Sequence, residues 1–296
     1  MRVISLVTEG LERAAEVGGL DWLFAQDADI ICLQDTRCAE HTLRGDAFFP
    51  EHYHPYFLDH YENPSRNGVA IYCKELPKAI IWGLGFDDYD AQGLYIQADY
   101  ADISIGSVLV PSGQGSAEAM AHKLGFLSQL SGHLEKVRNK RRGYILCGGW
   151  ELMAHHADAE DAGNSQALPG LSASERGWLL DLYDSGYADA YSLADQEPGA
   201  YTWWPDGDDA GGLRTDTQII SELLVNQVQR DRASQFRYGR ERSLGDLRCQ
   251  HEVVGRSADG VVIGVNEGAV LTDVLEGEAG REAVLEKAAV VAGSSR

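Results

Sequence analysis

Short apolar runs with β-forming character recur along most of this chain, and segments with helical spacing separate them. The runs are VISLV (3–7), DIICLQ (29–34), GVAIYCK (68–74), AIIWGL (79–84), GLYIQADY (93–100), ISIGSVLVP (103–111), YILC (144–147), YTWW (201–204) and TDTQII (215–220). Several alternate apolar and polar residues, as strands with one covered face do. Between them, LERAAEVGGLDWLFAQ (11–26) places Leu11, Ala15, Leu20, Leu23 and Phe24 roughly on one helical face. Ser116 opens a second helical segment (116–140) with Glu118 close behind. A third (172–186) starts on the capping-box pair Ser172 and Glu175 and stops at Gly186. Helices alternating with strands that also come in adjacent pairs predict two mixed β-sheets packed together, with helices outside. The main domain is expected over 1–265. Residues 266–296 are acidic, Ala-rich and free of aromatics, and are expected as a terminal helix or tail.

Charge narrows the classes of partner. Forty-six acids against twenty-five bases give a formal net charge of −21, whereas phosphate backbones are bound through clustered Lys and Arg. The basic clusters are short, KVRNKRR (136–142) and RDRASQFRYGRER (230–242). An acidic surface of this kind either keeps the protein soluble or meets a basic protein. The five cysteines, Cys32, Cys38, Cys73, Cys147 and Cys249, contain no CxxC pair and read mostly as small buried apolar residues. MRVISLVTEG lacks the apolar stretch and cleavage site of a signal peptide, and no apolar run approaches membrane-spanning length. The expectation is a cytoplasmic protein with no membrane contact.

Five spaced pieces line up with a known pattern: ISLVTEG, DIICLQDTR, VPSGQG, LCGGWEL, and YTWWPD followed by GLRTDTQII and CQHE. Their order and spacing resemble the endonuclease/exonuclease/phosphatase superfamily, in particular its exonuclease III branch, over about residues 1–254. The resemblance implies a four-layer α/β/β/α sandwich. Within the branch, LQDTR, GLGF, PSGQ and WWPD look closest to the catabolite repression control (Crc) proteins. These are regarded as lacking nuclease activity and act in translational repression with the RNA chaperone Hfq.

Phosphodiester hydrolysis needs neutralisation of the developing charge, a positioned base for water and a donor to the scissile oxygen. The resemblance assigns these tasks to motifs that can be followed residue by residue. The first-strand N-x-N-G falls on Val7-Thr8-Glu9-Gly10. The metal-binding glutamate falls on Asp35, one methylene shorter, and the strand-end tyrosine falls on Leu109. The G-D-x-N motif falls on Gly148-Gly149-Trp150-Glu151, which removes the acid and replaces the amide with a carboxylate. R-x-D survives as Arg214-Thr215-Asp216. The closing dyad reads Gln250-His251, so His251 loses its aspartate. Asp35, Asp216 and His251 are therefore remnants, with a second reading as buried polar groups kept for hydrogen bonding.

The expectation from these substitutions is a catalytically degenerate, Crc-type regulator with no cofactor. Its partner would be a basic protein such as Hfq, with RNA in a shared assembly, and it would bind nucleic acid weakly or not at all alone. The alternative is a divergent Mg-dependent exodeoxyribonuclease, AP endonuclease or phosphodiesterase, with Asp35, Glu9 and Glu151 as the candidate metal ligands. Candidate nucleic-acid or partner contacts are the strip Lys136, Arg138, Lys140, Arg141 and Arg142, the aromatics Trp203 and Trp204, and Arg214. The group His155, His156, Asp158, Glu160 and Asp161 matches no metal-binding spacing and reads as a solvated loop.

Overall fold

The computed structural model describes residues 1–154, 170–193, 201–202 and 212–226, together with the backbone of strands at 228–231, 235–238, 252–257, 260–265 and 268–271. Two sheets stack face to face. Chain order runs β1 (Val3–Val7), α1 (Leu11–Glu16), α2 (Gly19–Ala25), β2 (Ile30–Gln34), β3 (His54–Asp59), β4 (Gly68–Cys73), β5 (Ala79–Trp82), β6 (Tyr95–Asp99) and β7 (Ile103–Leu109). It continues with α3 (Ala117–Arg138), β8 (Gly143–Gly149), α4 (Ala173–Asp184), β9 (Tyr187–Asp189), α5 (Ala190–Leu193), β10 (Thr217–Ser221), α6 (Glu222–Val225), β11 (Val228–Asp231), β12 (Gln235–Tyr238), β13 (Glu252–Ser257), β14 (Gly260–Val265) and β15 (Gly268–Leu271).

One sheet has the order β11-β14-β13-β1-β2-β4-β3 and the other β5-β6-β7-β8-β10-β9, while β12 and β15 pair separately. Both large sheets mix parallel and antiparallel neighbours: β1 lies parallel to β2 and antiparallel to β13, and β7 lies parallel to β8, which is antiparallel to β10. The expected architecture of two mixed sheets between helical layers is the one observed.

Alternation along the strands explains the layers. Side chains of successive strand residues point to opposite faces, so Val3, Ile30, Cys32, Val69 and Ile71 face inward, against Ile96, Ile105, Ile145, Cys147 and Ile220 of the other sheet. Their neighbours Ile4, Leu6, Ile31 and Leu33 face outward and are covered by Leu11, Ala14, Leu20 and Leu23 of α1 and α2. On the far side Phe126, Leu127 and Leu130 of α3 and Leu179 and Leu182 of α4 cover Tyr95, Tyr144 and Leu146. Strands β1, β2, β4 and β8 are buried at every position. That double burial explains why these four read in the sequence as nearly continuous apolar runs.

Two local features depart from the expectation. Residues 11–26 form two helices, because Gly18 adopts φ 75° and ends the first turn sequence before α2 begins; a left-handed residue cannot continue a right-handed helix. Gly268–Leu271 are extended and pair with β12, so part of the expected terminal helix or tail is strand; 266–267 and 272–296 lie outside the described residues. Four cysteines, Cys32, Cys38, Cys73 and Cys147, are buried and free. Among the described residues no helix is long and apolar enough to cross a membrane.

A polar stitch fixes the two sheets at one end. Gln34 Nε2 donates to Ser107 Oγ at 2.9 Å, Ser107 Oγ donates to the Leu33 carbonyl at 2.9 Å, and Ser5 Oγ donates to Gln34 Oε1 at 3.3 Å. All are buried, and each satisfies groups that would otherwise be costly in an apolar layer. This stitch aligns the carboxyl ends of β1 and β2 with those of β7 and β8.

Candidate active-site cleft

Beyond the stitch, the same strand ends open into a cleft of about 220 Å³. Registers bring its parts together: Val7 is opposite Gln34, and Leu109 is opposite Gly149. Thr8 locks the segment after β1 to the one after β2, its hydroxyl donating to the carbonyls of Gln34 and Asp35 at 3.0 Å each. The amides of Gly10 and Leu11 donate to the carbonyls of Asp35 and Thr36. Glu9 and Asp35 are thereby set side by side on the cleft wall.

The backbone of this wall is unusual. Among the described residues six non-glycines have positive φ, and four of them line the cleft: Glu9 (47°), Asp35 (58°), Arg37 (51°) and Glu151 (47°). Left-handed conformations cost free energy for residues with a Cβ and persist where surrounding contacts impose them, commonly at functional sites.

Each acid in the cleft has partners. Arg37 forks onto Asp35, Nε to Oδ1 at 3.0 Å and Nη2 to Oδ2 at 2.6 Å. Partial burial works against the Arg37 charge, yet the hydrogen bond and charge of Asp35 and the charge of Glu9 outweigh it and raise its pKa. Asp216 is buried and accepts from the amides of Trp150 (2.8 Å) and Glu151 (3.4 Å) through Oδ1, and from the hydroxyls of Thr215 (3.0 Å) and Thr202 (3.4 Å) through Oδ2. It acts as a tie for the turn that follows β8. Glu151 Oε2 accepts from Ser112 Oγ at 2.8 Å, and its carbonyl accepts from Lys123 Nζ at 2.8 Å.

Apolar groups form the floor. A Cβ added to Gly149 would stand 3.2 Å from both Leu109 Cδ1 and Val7 Cγ2, and 3.6 Å from Gln34 Cβ. The glycine is thus walled in by two hydrocarbon side chains, and the space of a side chain has been filled by its neighbours. Across the mouth stand Arg66 and Asn67, from the turn before β4, with Asn67 Nδ2 donating to the Gln92 carbonyl at 3.3 Å.

The fit of a divalent ion follows from the donor set. Asp35, Glu9 and Glu151 do share one cleft, but Asp35 is engaged by Arg37 and Glu151 by Ser112. Among the described residues no three His, Cys, Asp or Glu groups come close enough to hold a metal ion. As arranged, these residues do not fit such an ion, which requires carboxylate oxygens open to it.

The cleft gathers Val7, Glu9, Asp35, Leu109, Gly149, Glu151 and Asp216, every described cleft position that the sequence motifs singled out. Other candidates go elsewhere. Arg214 does not face a ligand: it is buried, its Nη1 donates to Asp189 Oδ2 at 2.9 Å, and its guanidinium lies 4.6 Å from the centre of the Tyr191 ring. That corrects its assignment as a binding residue, since an internal carboxylate and an aromatic face already take up its charge. The strip Lys136–Arg142 precedes Gly143 at the start of β8, whereas the cleft lies at Gly149, its end. The strand separates them by roughly 20 Å. In that strip Arg138 donates to the Ser185 carbonyl and Arg142 to the Tyr100 carbonyl. Trp203, Trp204, Gln250, His251 and the 155–161 histidine-acid segment lie outside the described residues.

Sequence reasoning missed Arg37, Arg66, Asn67 and Ser112 in the cleft, and Lys123 beneath it. Arg37 sits inside the LQDTR motif, two residues after Asp35, but that spacing alone does not turn its side chain back onto the acid. The others carry no local signal.

A profile described as "Endonuclease/Exonuclease/phosphatase family" matches residues 20–237. Among curated relatives, a DNA repair nuclease of Danio rerio is 28% identical over 76% of this chain and 74% of its own length. An exodeoxyribonuclease of Bacillus subtilis is 26% identical, covering 77% of this chain and 91% of its own. Among solved structures, an AP endonuclease from Archaeoglobus fulgidus superposes with a TM-score of 0.71 at 20% identity, over 86% of this chain and 98% of the other. At that identity the structural likeness concerns the fold.

Proposed function

The chain belongs to the endonuclease/exonuclease/phosphatase family, and from that premise we propose that it acts on nucleic-acid phosphodiesters in this cleft, at a hydrolytic rate orders of magnitude below that of an intact site. The relatives named above support the substrate class, since their names are those of DNA nucleases. One observation carries the lowered rate: Gly149, walled in by Leu109 and Val7, stands where the family motif places an acid.

A water molecule attacking phosphorus must lose a proton, and a positioned base typically contributes about 10²–10⁴ in rate. Nothing on the floor of Val7, Leu109 and Gly149 can accept one. Four acids line the cleft, Glu9, Asp35, Glu151 and Asp216, against Arg37 and Arg66, and the Glu151 carboxylate stands where the family motif has an amide, so it repels an incoming phosphate instead of donating to it. Arg37 and the exposed Arg66 are the cations of the cleft that would meet a phosphate oxygen.

A second reading rests on the charge of the whole chain. With −21, the surface favours a basic protein over naked nucleic acid. In that reading the protein is a Crc-type regulator that joins RNA through a chaperone such as Hfq and cuts nothing. The two separate in one experiment. A labelled duplex bearing an abasic site is incubated with excess protein and Mg²⁺, and Asp35→Ala is run beside it. Slow product formation that Asp35→Ala removes is expected from the divergent nuclease. No product from either protein would overturn that reading in favour of the regulator.

A further inference from the structure

The one carboxylate kept at the family's metal position is already held by a cation of the chain itself. Both oxygens of Asp35 are engaged by the Arg37 fork, and Glu9 lies near enough for its charge to act on the same guanidinium. The arrangement is imposed by the backbone. Glu9, Asp35 and Arg37 are all left-handed, and the Thr8 hydroxyl with the Gly10 and Leu11 amides clamps the two segments together. A forked guanidinium on a carboxylate is among the stronger charge-assisted contacts, planar and matched in spacing.

We propose that Arg37 is a tethered cation occupying the charge-balancing place at Asp35, so that a divalent ion reaches Asp35 only by displacing the guanidinium. This rests on the reading of the cleft as the family's phosphodiester site, and it states how that site differs here. An ion bound to Asp35 with Arg37 in place would sit against a like charge, whereas in its absence Asp35 loses the fork that engages both of its oxygens. The Arg37 side chain is 43% exposed, so it can swing out, and the displacement is a competition in place of a steric block. The consequence is that a phosphate entering the wild-type cleft meets a guanidinium on that wall.

The test is binding of Mn²⁺ alone, by calorimetry and water-proton relaxation, to the full chain and to Arg37→Gln, Asp35→Asn and the double variant. Near-ultraviolet circular dichroism checks that each is folded. An opposite or like charge at this range shifts an ionic equilibrium by about tenfold or more. Arg37→Gln is therefore expected to bind Mn²⁺ about tenfold more tightly than the wild type, a gain that Asp35→Asn removes; Asp35→Asn alone weakens wild-type binding far less, because there the ion must first displace the guanidinium. Arg37→Lys, which keeps the charge and loses the fork, provides a second variant and is expected to gain less than Arg37→Gln. Wild-type Mn²⁺ binding that Asp35→Asn weakens tenfold overturns the proposal, as does an Arg37→Gln affinity no better than wild type. Neither result bears on whether the cleft cuts DNA, which the cleavage assay reads separately.

Discussion

Replacing Lys123 with alanine is expected to cost about 3–5 kcal/mol of folding stability, the range for leaving one partner of a buried ion pair uncompensated. Lys123 lies on α3 with its side chain 1% exposed, and its Nζ is 2.6 Å from Glu175 Oε1 on α4, whose side chain is 2% exposed. The pair is fully committed. Nζ also donates to the Glu151 carbonyl at 2.8 Å, and Glu175 closes the capping box of α4 by accepting the Ser172 amide on its other oxygen while its own amide donates to Ser172 Oγ. Removing the ammonium therefore strands a buried carboxylate, loosens the start of α4 and frees the carbonyl of a cleft residue. Urea unfolding measures the loss, with Lys123→Met/Glu175→Leu as control. The double variant has no stranded charge and is expected to recover most of it. A loss below about 1 kcal/mol for Lys123→Ala would show that solvent or another group compensates Glu175.

The second large effect is on catalysis, and it depends on several positions together. Gly149→Asp alone is expected to give little gain in cleavage and to destabilise the protein, because its Cβ would crowd Leu109 Cδ1 and Val7 Cγ2 at 3.2 Å and its carboxylate would enter an apolar floor without hydrogen-bond partners. An unsatisfied buried polar group costs about 1–3 kcal/mol, more when charged. Restoring the family's residues together, Val7→Asn, Leu109→Tyr, Gly149→Asp and Glu151→Asn, replaces hydrocarbon by polar groups and moves a carboxylate from position 151 to 149, where the family motif has it. That combination is expected to raise cleavage of abasic duplex DNA by about 10² or more over the wild type. Groups acting as one constellation are non-additive, so the single changes should each yield little. A strong gain from Gly149→Asp alone would mean that the missing acid by itself limits the rate and that the surrounding hydrocarbon does not.

How much of this was legible beforehand varies with the physics involved. The fold was readable because β1, β2, β4 and β8 are buried on both faces, and double burial writes itself into sequence as an unbroken apolar run. β3 was missed: HPYFLD is partly exposed at the edge of its sheet, which dilutes the pattern. The strands at 252–271 were missed too, where glycines interrupt EVVGRS and GVVIGV. The break of the first helix turned on Gly18, a residue that helical spacing alone does not flag.

In the cleft, motif spacing located Val7, Asp35, Leu109, Gly149, Glu151 and Asp216, since each ends or follows a strand whose order was already apparent. Sequence could not tell that Arg37 would fold back on Asp35 or that Arg214 would turn inward to Asp189, because a lone basic residue has no periodic signature. Lys123 is the clearest case. Within AHKLGFL it has the look of a solvated helix position, and only the packing of α4 makes it one of the most buried side chains in the molecule.

The central claim is that the fold and cleft of a nuclease family are present while the hydrolytic chemistry is largely gone. Its most direct test is the single-turnover rate of cleavage of an abasic-site duplex with Mg²⁺, measured beside the Archaeoglobus fulgidus AP endonuclease whose fold this chain shares. A rate lower by about 10² or more is predicted, in line with the loss of a positioned base. A rate within about tenfold of that relative, less than such a loss allows, would contradict the account and show that the cleft finds its base elsewhere.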